Sequence, residues 1–374
     1  LCIATKEEAW CILGRPLRQE RKESFVRYKL LGRSGLRVSE LCLGTMTFGE
    51  EWGWGASKEE SRRIFDAYVE RGGNFLDTAN KYTEGTSERI VGELIAGERE
   101  RFVLATKYTL TTNPDDPNAS GNHRKNMVQA VEASLKRLGT DYIDLYWLHA
   151  WDFTTGIDEV MRAFDDLVRA GKILYAGVSD TPAWTVAAAN TLADLRGWTP
   201  FVGLQIEYSL IERTPERELL PMARAFDLAV LAWAPLGGGV LTGKYRSAAD
   251  GGQERMRISA NSRRLAEKNL EIARAVVQVA GEVGCTPSQV AINWLRRQAG
   301  IVIPMLGART LAQIQDNLGC LDAELPDAAA AKLDEVSRVP LGFPHEFAAQ
   351  DHIRGIIYGS QRDRLDIHRA NAPW

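Results

Sequence analysis

The sequence is poor in the features that mark the more specialised classes of protein. Its 374 residues hold five cysteines (Cys2, Cys11, Cys42, Cys285 and Cys320), an odd number with no CxxC pair. That scatter speaks against a disulfide framework and a zinc ribbon, and it fits a reducing, cytoplasmic compartment. No apolar run approaches the roughly 18 residues that span a bilayer, so no membrane segment is expected. The longest apolar piece near the start, Trp10-Cys11-Ile12-Leu13, is too short for a secretory h-region. Charge of one sign is lacking too: 46 Lys plus Arg face 49 Asp plus Glu, a net charge of −3. Neutralising a polyanion needs clustered excess cation, so nucleic acid is not an expected partner. No GxGxxG follows any apolar run, and Gly237-Gly238-Gly239 has the wrong spacing. The Gly-rich nucleotide turn of an open doubly wound sheet is therefore missing.

What is there is an ordinary globular composition, 45% hydrophobic and 25% charged, ample for a large core. At about 150 residues per domain the length allows two or three domains, although α/β barrels run past about 200 residues as one unit. Residues 1–25 show no sustained amphipathic period and carry the basic run Arg18-Gln19-Glu20-Arg21-Lys22. They read as a disordered or non-native extension, with regular structure expected from near Tyr28.

From there, short apolar runs alternate with helical patterns. Tyr28 to Val38, around Gly32-Arg33-Ser34-Gly35, reads as a β-hairpin. Eight strand candidates follow, at 40–45, 74–79, 102–107, 142–149, 173–179, 201–208, 228–235 and 301–306. Most are apolar on both alternations, as parallel strands covered on two sides should be. Helical patterns at 58–71, 123–138, 158–170, 182–195 and 287–298 carry the expected end signals, such as Ser57, Gly139 and the Thr286-Pro287 start. The pattern predicts a single (β/α)8 TIM barrel over residues 26–374, with an N-terminal hairpin and a C-terminal tail at 336–374.

In such a barrel the active site lies at the C-terminal strand ends. Asp77, Lys107 and His149 end the second, third and fourth strands, and Tyr82 lies in the loop just past Asp77. An ammonium beside a phenol lowers the phenol's pKa, a carboxylate keeps that ammonium charged, and an imidazole can orient a carbonyl oxygen. The set suits protonation of an oxygen while hydride reaches the attached carbon. His149 has no His or carboxylate at zinc-ligand spacing, so no metal is expected.

At these residues the sequence resembles the aldo-keto reductase superfamily, over about Tyr28 to Glu335. Gly73 to Ala79 followed by Tyr82 and Gly85-Thr86-Ser87-Glu88 is similar to the family's first signature. Leu104-Ala105-Thr106-Lys107 resembles its lysine strand, and Ser134 to Leu145 leads into Leu148-His149 as in the family. The likeness extends to bacterial aldehyde and aryl-alcohol reductase-like members and, more distantly, to potassium-channel β-subunits. It implies that Asp77, Tyr82, Lys107 and His149 are the catalytic tetrad, with Tyr82 as general acid.

The resemblance also implies NADPH, rather than NADH, lying extended across the barrel mouth. Gly44, Thr45 and Met46 would border the nicotinamide; Ser179, Asp180 and Gln205 would hydrogen-bond its carboxamide, and Tyr208 would stack on the ring. Pro235, Leu236, Gly237, Gly239, Leu241 and Lys244 would close over the pyrophosphate. Gly307, Arg309, Gln313 and Asn317 would hold the adenosine and its 2′-phosphate, Arg309 by a bidentate contact. Two positions depart from relatives: Asp180 stands where Asn is common after Gly-Val-Ser, and Ala234 where Ser is frequent before Pro.

The substrate walls are expected from the loops Phe48 to Trp54 and Tyr108 to Asn122 and from the tail. Trp52, Trp54, Tyr108, Trp151 and Phe343 are the lining candidates. The polar, Pro-containing stretch 109–122 reads as a lid. An aromatic lining favours aryl or medium-chain aldehydes over free sugars. The expected activity is NADPH-dependent reduction of a small-molecule aldehyde or ketone. The alternatives are a cofactor-binding regulatory subunit of the channel type, and an alcohol dehydrogenase working in the oxidative direction.

Overall fold

The computed structural model describes residues 24–245, 258–259 and 262–366. Residues 1–23 of the expected extension, and 367–374 of the tail, lie outside this set. Among the described residues there are ten strands: β1 (Tyr28–Leu30), β2 (Arg37–Ser39), β3 (Cys42–Gly44), β4 (Phe75–Asp77), β5 (Val103–Tyr108), β6 (Ile143–Leu148), β7 (Ile173–Ser179), β8 (Phe201–Glu207), β9 (Ala229–Trp233) and β10 (Val302–Leu306). β1 and β2 pair antiparallel as the hairpin, and β3 to β10 are parallel and close into an eight-stranded barrel.

Around it lie α1 (Lys58–Glu70), α2 (Thr86–Ile95), α3 (Arg124–Leu138), α4 (Ile157–Arg169), α5 (Ala183–Arg196), α6 (Leu219–Ala225), α7 (Glu267–Val283), α8 (Pro287–Arg296), α9 (Leu311–Leu318) and α10 (Asp327–Ser337). Two short helices, α11 (His345–Ala348) and α12 (Asp351–Tyr358), belong to the tail. The end signals act as expected. Ser57 accepts from the Glu60 amide to start α1, Thr286 and Gln289 form a reciprocal cap on α8, and Gly139 ends α3 in the left-handed conformation.

Strand alternation divides the core in two. Phe75, Val103, Ala105, Leu145, Trp147, Leu231 and Met305 point into the barrel, while Leu76, Leu104, Tyr146, Leu204 and Val230 face the helices. Trp147 is the bulkiest inward residue, and it fits because its neighbours on β7 and β8 are glycines. A Cβ on Gly177 would come within 2.3 Å of its ring, and one on Gly203 within 2.9 Å. The hairpin plugs the opposite end, burying Leu31 and Val38 against the same interior. Inward residues at odd positions of β4, β5, β6 and β9 thus continue upward, layer by layer, to the mouth, while a register shift between β7 and β8 turns Val202 inward and Phe201 outward. That parity places the site.

Candidate active site

At the mouth, β4 and β5 run side by side with Asp77 opposite Ala105, so Asp77 and Lys107 both point inward. Both are fully buried, and the Lys107 ammonium donates to Asp77 Oδ2 and, at 2.7 Å, to the Thr78 carbonyl. The second carboxylate oxygen, Oδ1, accepts from Gln205 Nε2 at 3.0 Å. Burial works against the Lys107 charge, but Asp77 and then Tyr82 outweigh it and hold its pKa above the ordinary value. Lys107 is therefore an ammonium throughout the neutral range.

Tyr82 opens a one-turn 3-10 segment, Tyr82–Gly85, in which Thr83 and Glu84 take positive φ values of 45° and 54°. This tight turn carries the ring back over the barrel. Lys107 Nζ lies 4.7 Å from the ring centroid, and the imidazole of His149 meets the ring edge-on at 5.9 Å. Burial pushes the Tyr82 hydroxyl up, and the Lys107 charge pulls it down less strongly. The expected depression is thus present as a force but outweighed, so Tyr82 keeps its proton as an acid must. His149 is driven well below its usual range by burial and by Lys107, and it is neutral. Its Nδ1 is buried without a partner, which leaves Nε2 to meet a substrate.

The strand ends beside the tetrad carry further groups. Ser179 ends β7 and is buried. Asp180 follows it with φ of 41°, and its carboxyl is raised to about 6 by burial, against the hydrogen bond it accepts from Trp233 Nε1 at 3.2 Å. Gly44 ends β3 where a Cβ would strike Met305 at 2.8 Å. Thr45 is buried, its hydroxyl 3.0 Å from the Asp77 carbonyl, and Met46 is half-buried at the rim.

Tyr208 departs from expectation. It is fully buried on the outer side of the barrel, its ring 5.5 Å from that of Trp294 and its hydroxyl donating to Glu216 at 2.8 Å. Gln205 points inward, so Tyr208, three residues on, must point outward. The aromatic face at the mouth belongs instead to Trp233, the last residue of β9, half-buried and bonded to Asp180. Arg264 stands 5.9 Å from the Trp233 ring and donates through Nε to Glu207 Oε1 at 3.0 Å. Neither Trp233 nor Arg264 was among the sequence candidates, although the inward parity of Leu231 marks Trp233.

Past β9, the loop from Pro235 to Lys244 contains four glycines, Gly237, Gly238, Gly239 and Gly243, all at positive φ. Pro235, Gly237 and Leu241 are buried, Leu236 and Gly239 are partly exposed, and Lys244 is exposed. A Cβ on Gly239 would meet Lys244 Nζ at 3.0 Å, so backbone and ammonium lie close. Past β10, Gly307 is exposed, and the Arg309 amide donates to Gln313 Oε1 at 2.8 Å at the start of α9. Asn317 is buried one turn later, its amide 3.5 Å from the Gly307 carbonyl.

Of the lining candidates, Trp52 and Trp54 come together at the site. Their rings are 5.6 Å apart, and Trp52 lies edge-on to Tyr82 at 6.4 Å. Trp151 is half-buried beside Asp180, whose carbonyl accepts from its amide at 3.4 Å. Tyr108 does not line the mouth. It is fully buried between barrel and helices, stacked on Tyr146 at 5.4 Å, because it has the opposite parity to Lys107. Phe343 is 84% exposed and meets Phe347, and the tail is fastened to the β8–α6 loop through Arg217 to Pro340 and Glu218 to His345. Among the described residues no group of three or more His, Cys, Asp or Glu is placed to hold a metal ion, and no helix is long and apolar enough to cross a membrane.

Residues 40–338 match the aldo/keto reductase family. The chain belongs to that family. Similar proteins include the norsolorinic acid reductase stcV of Emericella nidulans, 39% identical over 84% of this chain and 82% of its own length. An aryl-alcohol dehydrogenase (NADP(+)) of Phanerodontia chrysosporium is 35% identical over 90% of this chain and 89% of its own. The aldo-keto reductase ausK of Emericella nidulans is 35% identical over 87% and 85%. This member of the family is an oxidoreductase enzyme of the carbonyl-reducing kind, with a nicotinamide cofactor the family's usual partner.

Proposed function

We propose that this enzyme uses NADPH to reduce an aromatic aldehyde or ketone to the alcohol, with Tyr82 as general acid. The observation that carries the reading is the buried Asp77–Lys107 pair lying directly beneath the Tyr82 ring and beside a neutral His149.

The residues at the mouth fit the cofactor. Trp233 offers a half-buried aromatic face for the nicotinamide, and Ser179, Asp180 and Gln205 offer polar atoms along one edge of it. Gln205 Nε2 is engaged by Asp77, so its carbonyl oxygen is the atom left to accept from a carboxamide NH2. The glycines of 237–243 let backbone approach a pyrophosphate closely, with Lys244 beside them. Arg309 and Gln313, at the start of α9, with Asn317 one turn further along it, suit an adenosine 2′-phosphate, which favours NADPH over NADH. When bound, NADPH supplies the hydride.

The chain's own residues do the rest. His149 Nε2 and the Tyr82 hydroxyl bind the carbonyl oxygen and fix its direction. Tyr82 then gives its proton to that oxygen as negative charge develops, and the adjacent Lys107 ammonium stabilises the phenolate left behind. Asp77 and the Thr78 carbonyl keep Lys107 charged and in place. Trp52 and Trp54 form an aromatic wall next to Tyr82, which matches a flat aryl substrate. The name of the aryl-alcohol dehydrogenase relative agrees with that substrate class and points to the reverse reaction. Oxidation would need Tyr82 as phenolate, and burial disfavours that form at neutral pH. Scattered thiols and balanced charge are in keeping with work in the cytoplasm.

The test is a panel of aryl, alkyl and sugar aldehydes followed by NADPH absorbance, with Tyr82→Phe alongside. Aryl aldehydes should give the highest kcat/KM, and Tyr82→Phe should lower kcat by about 100-fold or more with NADPH affinity retained. Tight NADPH binding without turnover of any carbonyl would favour the regulatory-subunit alternative and overturn the proposal. So would a Tyr82→Phe enzyme that turns over normally.

A further inference from the structure

The side chain of His149 has no hydrogen bond to steer it through Nδ1, which is buried and unpartnered. Its direction is therefore inherited from its backbone, and that backbone is held by a residue two loops away. Asn122, fully buried at the end of the β5–α3 loop, makes a hydrogen bond with every polar group it has. Its side-chain amide donates to the Ala150 carbonyl and to Thr109 Oγ1, both at 2.9 Å. Its Oδ1 accepts from the Asp152 amide at 2.7 Å, and its own amide donates to Asp152 Oδ2 at 2.7 Å. Its carbonyl accepts from the Tyr108 hydroxyl at 3.1 Å.

The partners bracket the backbone of His149. Thr109 Oγ1, besides meeting Asn122, accepts from the His149 amide at 3.3 Å. Ala150 is the next residue in the chain, and Asp152 closes its own turn by accepting from the Thr154 and Thr155 amides at 2.9 Å. Thr109 sits at φ of 95°, a conformation a β-branched residue adopts only when its surroundings impose it. The Gly121 amide, donating to the Thr109 carbonyl at 2.8 Å, and the Asn122 side chain impose it here. The base of the stretch 109–122, which reads as a lid in the sequence, is thus pinned to the strand that carries His149.

We propose that Asn122 is a positioning residue for His149, acting through Thr109 and the backbone of 149–152. This rests on the reading of His149 as the group that orients the carbonyl. A misplacement of about 1 Å in such a group costs on the order of 100-fold in rate.

The experiment is a mutant cycle on the full-length enzyme. Asn122→Ala, Thr109→Val and Thr109→Ser are made in the wild-type and in the His149→Ala background. For each, kcat and KM with an aryl aldehyde and the NADPH Kd by fluorescence are measured. Asn122→Ala and Thr109→Val are expected to lower kcat/KM by about 10- to 100-fold with NADPH Kd unchanged, while Thr109→Ser, which keeps the acceptor, stays near wild type. In the His149→Ala background the same changes should cost nothing further, because the group they position is gone. Losses that multiply undiminished with His149→Ala would overturn the inference, as would wild-type activity in both Asn122→Ala and Thr109→Val. If Asn122→Ala does not fold, the Thr109→Val and Thr109→Ser pair decides alone. Should Tyr82→Phe keep its turnover, the catalytic reading fails; should Tyr82→Phe be inactive while the losses multiply, only the positioning role of Asn122 fails.

Discussion

Replacing Asp77 by Asn tests the electrostatics of the site without changing its shape. Asp77 and Lys107 are both fully buried, and the carboxylate is the only anion hydrogen-bonded to that ammonium among the described contacts. Without the charge, the Thr78 carbonyl at 2.7 Å remains, but burial is no longer offset. Breaking a buried ion pair from one side costs about 3–5 kcal/mol, because an uncompensated charge is left behind. With no carboxylate left to oppose burial, the Lys107 pKa falls. The sign of the pH dependence follows. In wild type the folded pKa is raised, so the stability the pair contributes is present below the unfolded value of 10.5 and is lost as pH rises through the folded one. In Asp77→Asn the folded pKa drops below 10.5, so the variant is least stable at neutral pH and recovers as pH climbs toward 10.5. Urea unfolding followed by tryptophan fluorescence at pH 7 and 9.5 measures both effects. A second arm, Asp77→Asn with Lys107→Met, should be more stable than Asp77→Asn alone. A cost for Asp77→Asn below about 1 kcal/mol at pH 7, or strictly additive single and double variants, would refute the reasoning.

Two further predictions concern the cofactor end. Trp233→Ala should weaken NADPH binding by about tenfold while Trp233→Phe retains most of it, and Tyr208→Phe should leave the Kd unchanged and lower stability by about 1–3 kcal/mol through loss of its bond to Glu216. Fluorescence titration and urea melts separate the two aromatic residues. Asp180, with its carboxyl raised to about 6 from 3.8, binds its proton more tightly folded than unfolded. Because the residue is solvent-exposed and its interactions are screened, wild type should gain at most about 1 kcal/mol relative to Asp180→Asn as pH falls from 7.5 to 4, and equal urea midpoint shifts for the two proteins over that range would contradict it.

Much of this molecule could be read from its chain. Eight apolar runs with helices between them predict a closed parallel barrel, because strands apolar on both alternations must be covered on both sides. Asp77, Lys107 and His149 were legible because a polar side chain that ends an apolar inward strand has only the barrel mouth to go to. The two misplaced residues, Tyr108 and Tyr208, are aromatic, lie beside site residues in sequence, and point the other way. Strand parity is itself in the sequence: Lys107 and Tyr108 cannot share a face, nor can Gln205 and Tyr208, whereas Leu231 and Trp233 must.

The tertiary structure decided what parity cannot reach. Phe343 and the tail sit against the β8–α6 loop, a contact between segments more than 120 residues apart whose energy lies in a few bonds such as Arg217 to Pro340. The balance between burial and Lys107 at the Tyr82 hydroxyl depends on how deeply the turn at 82–85 folds back, and no local pattern contains that depth. The same holds for Asn122, an unremarkable polar residue in a polar loop until the ends of β5 and β6 and the loops that follow them close around it. Local periodicity determines which face a residue takes. What it meets there is set by where the chain returns, and that is a property of the closed barrel.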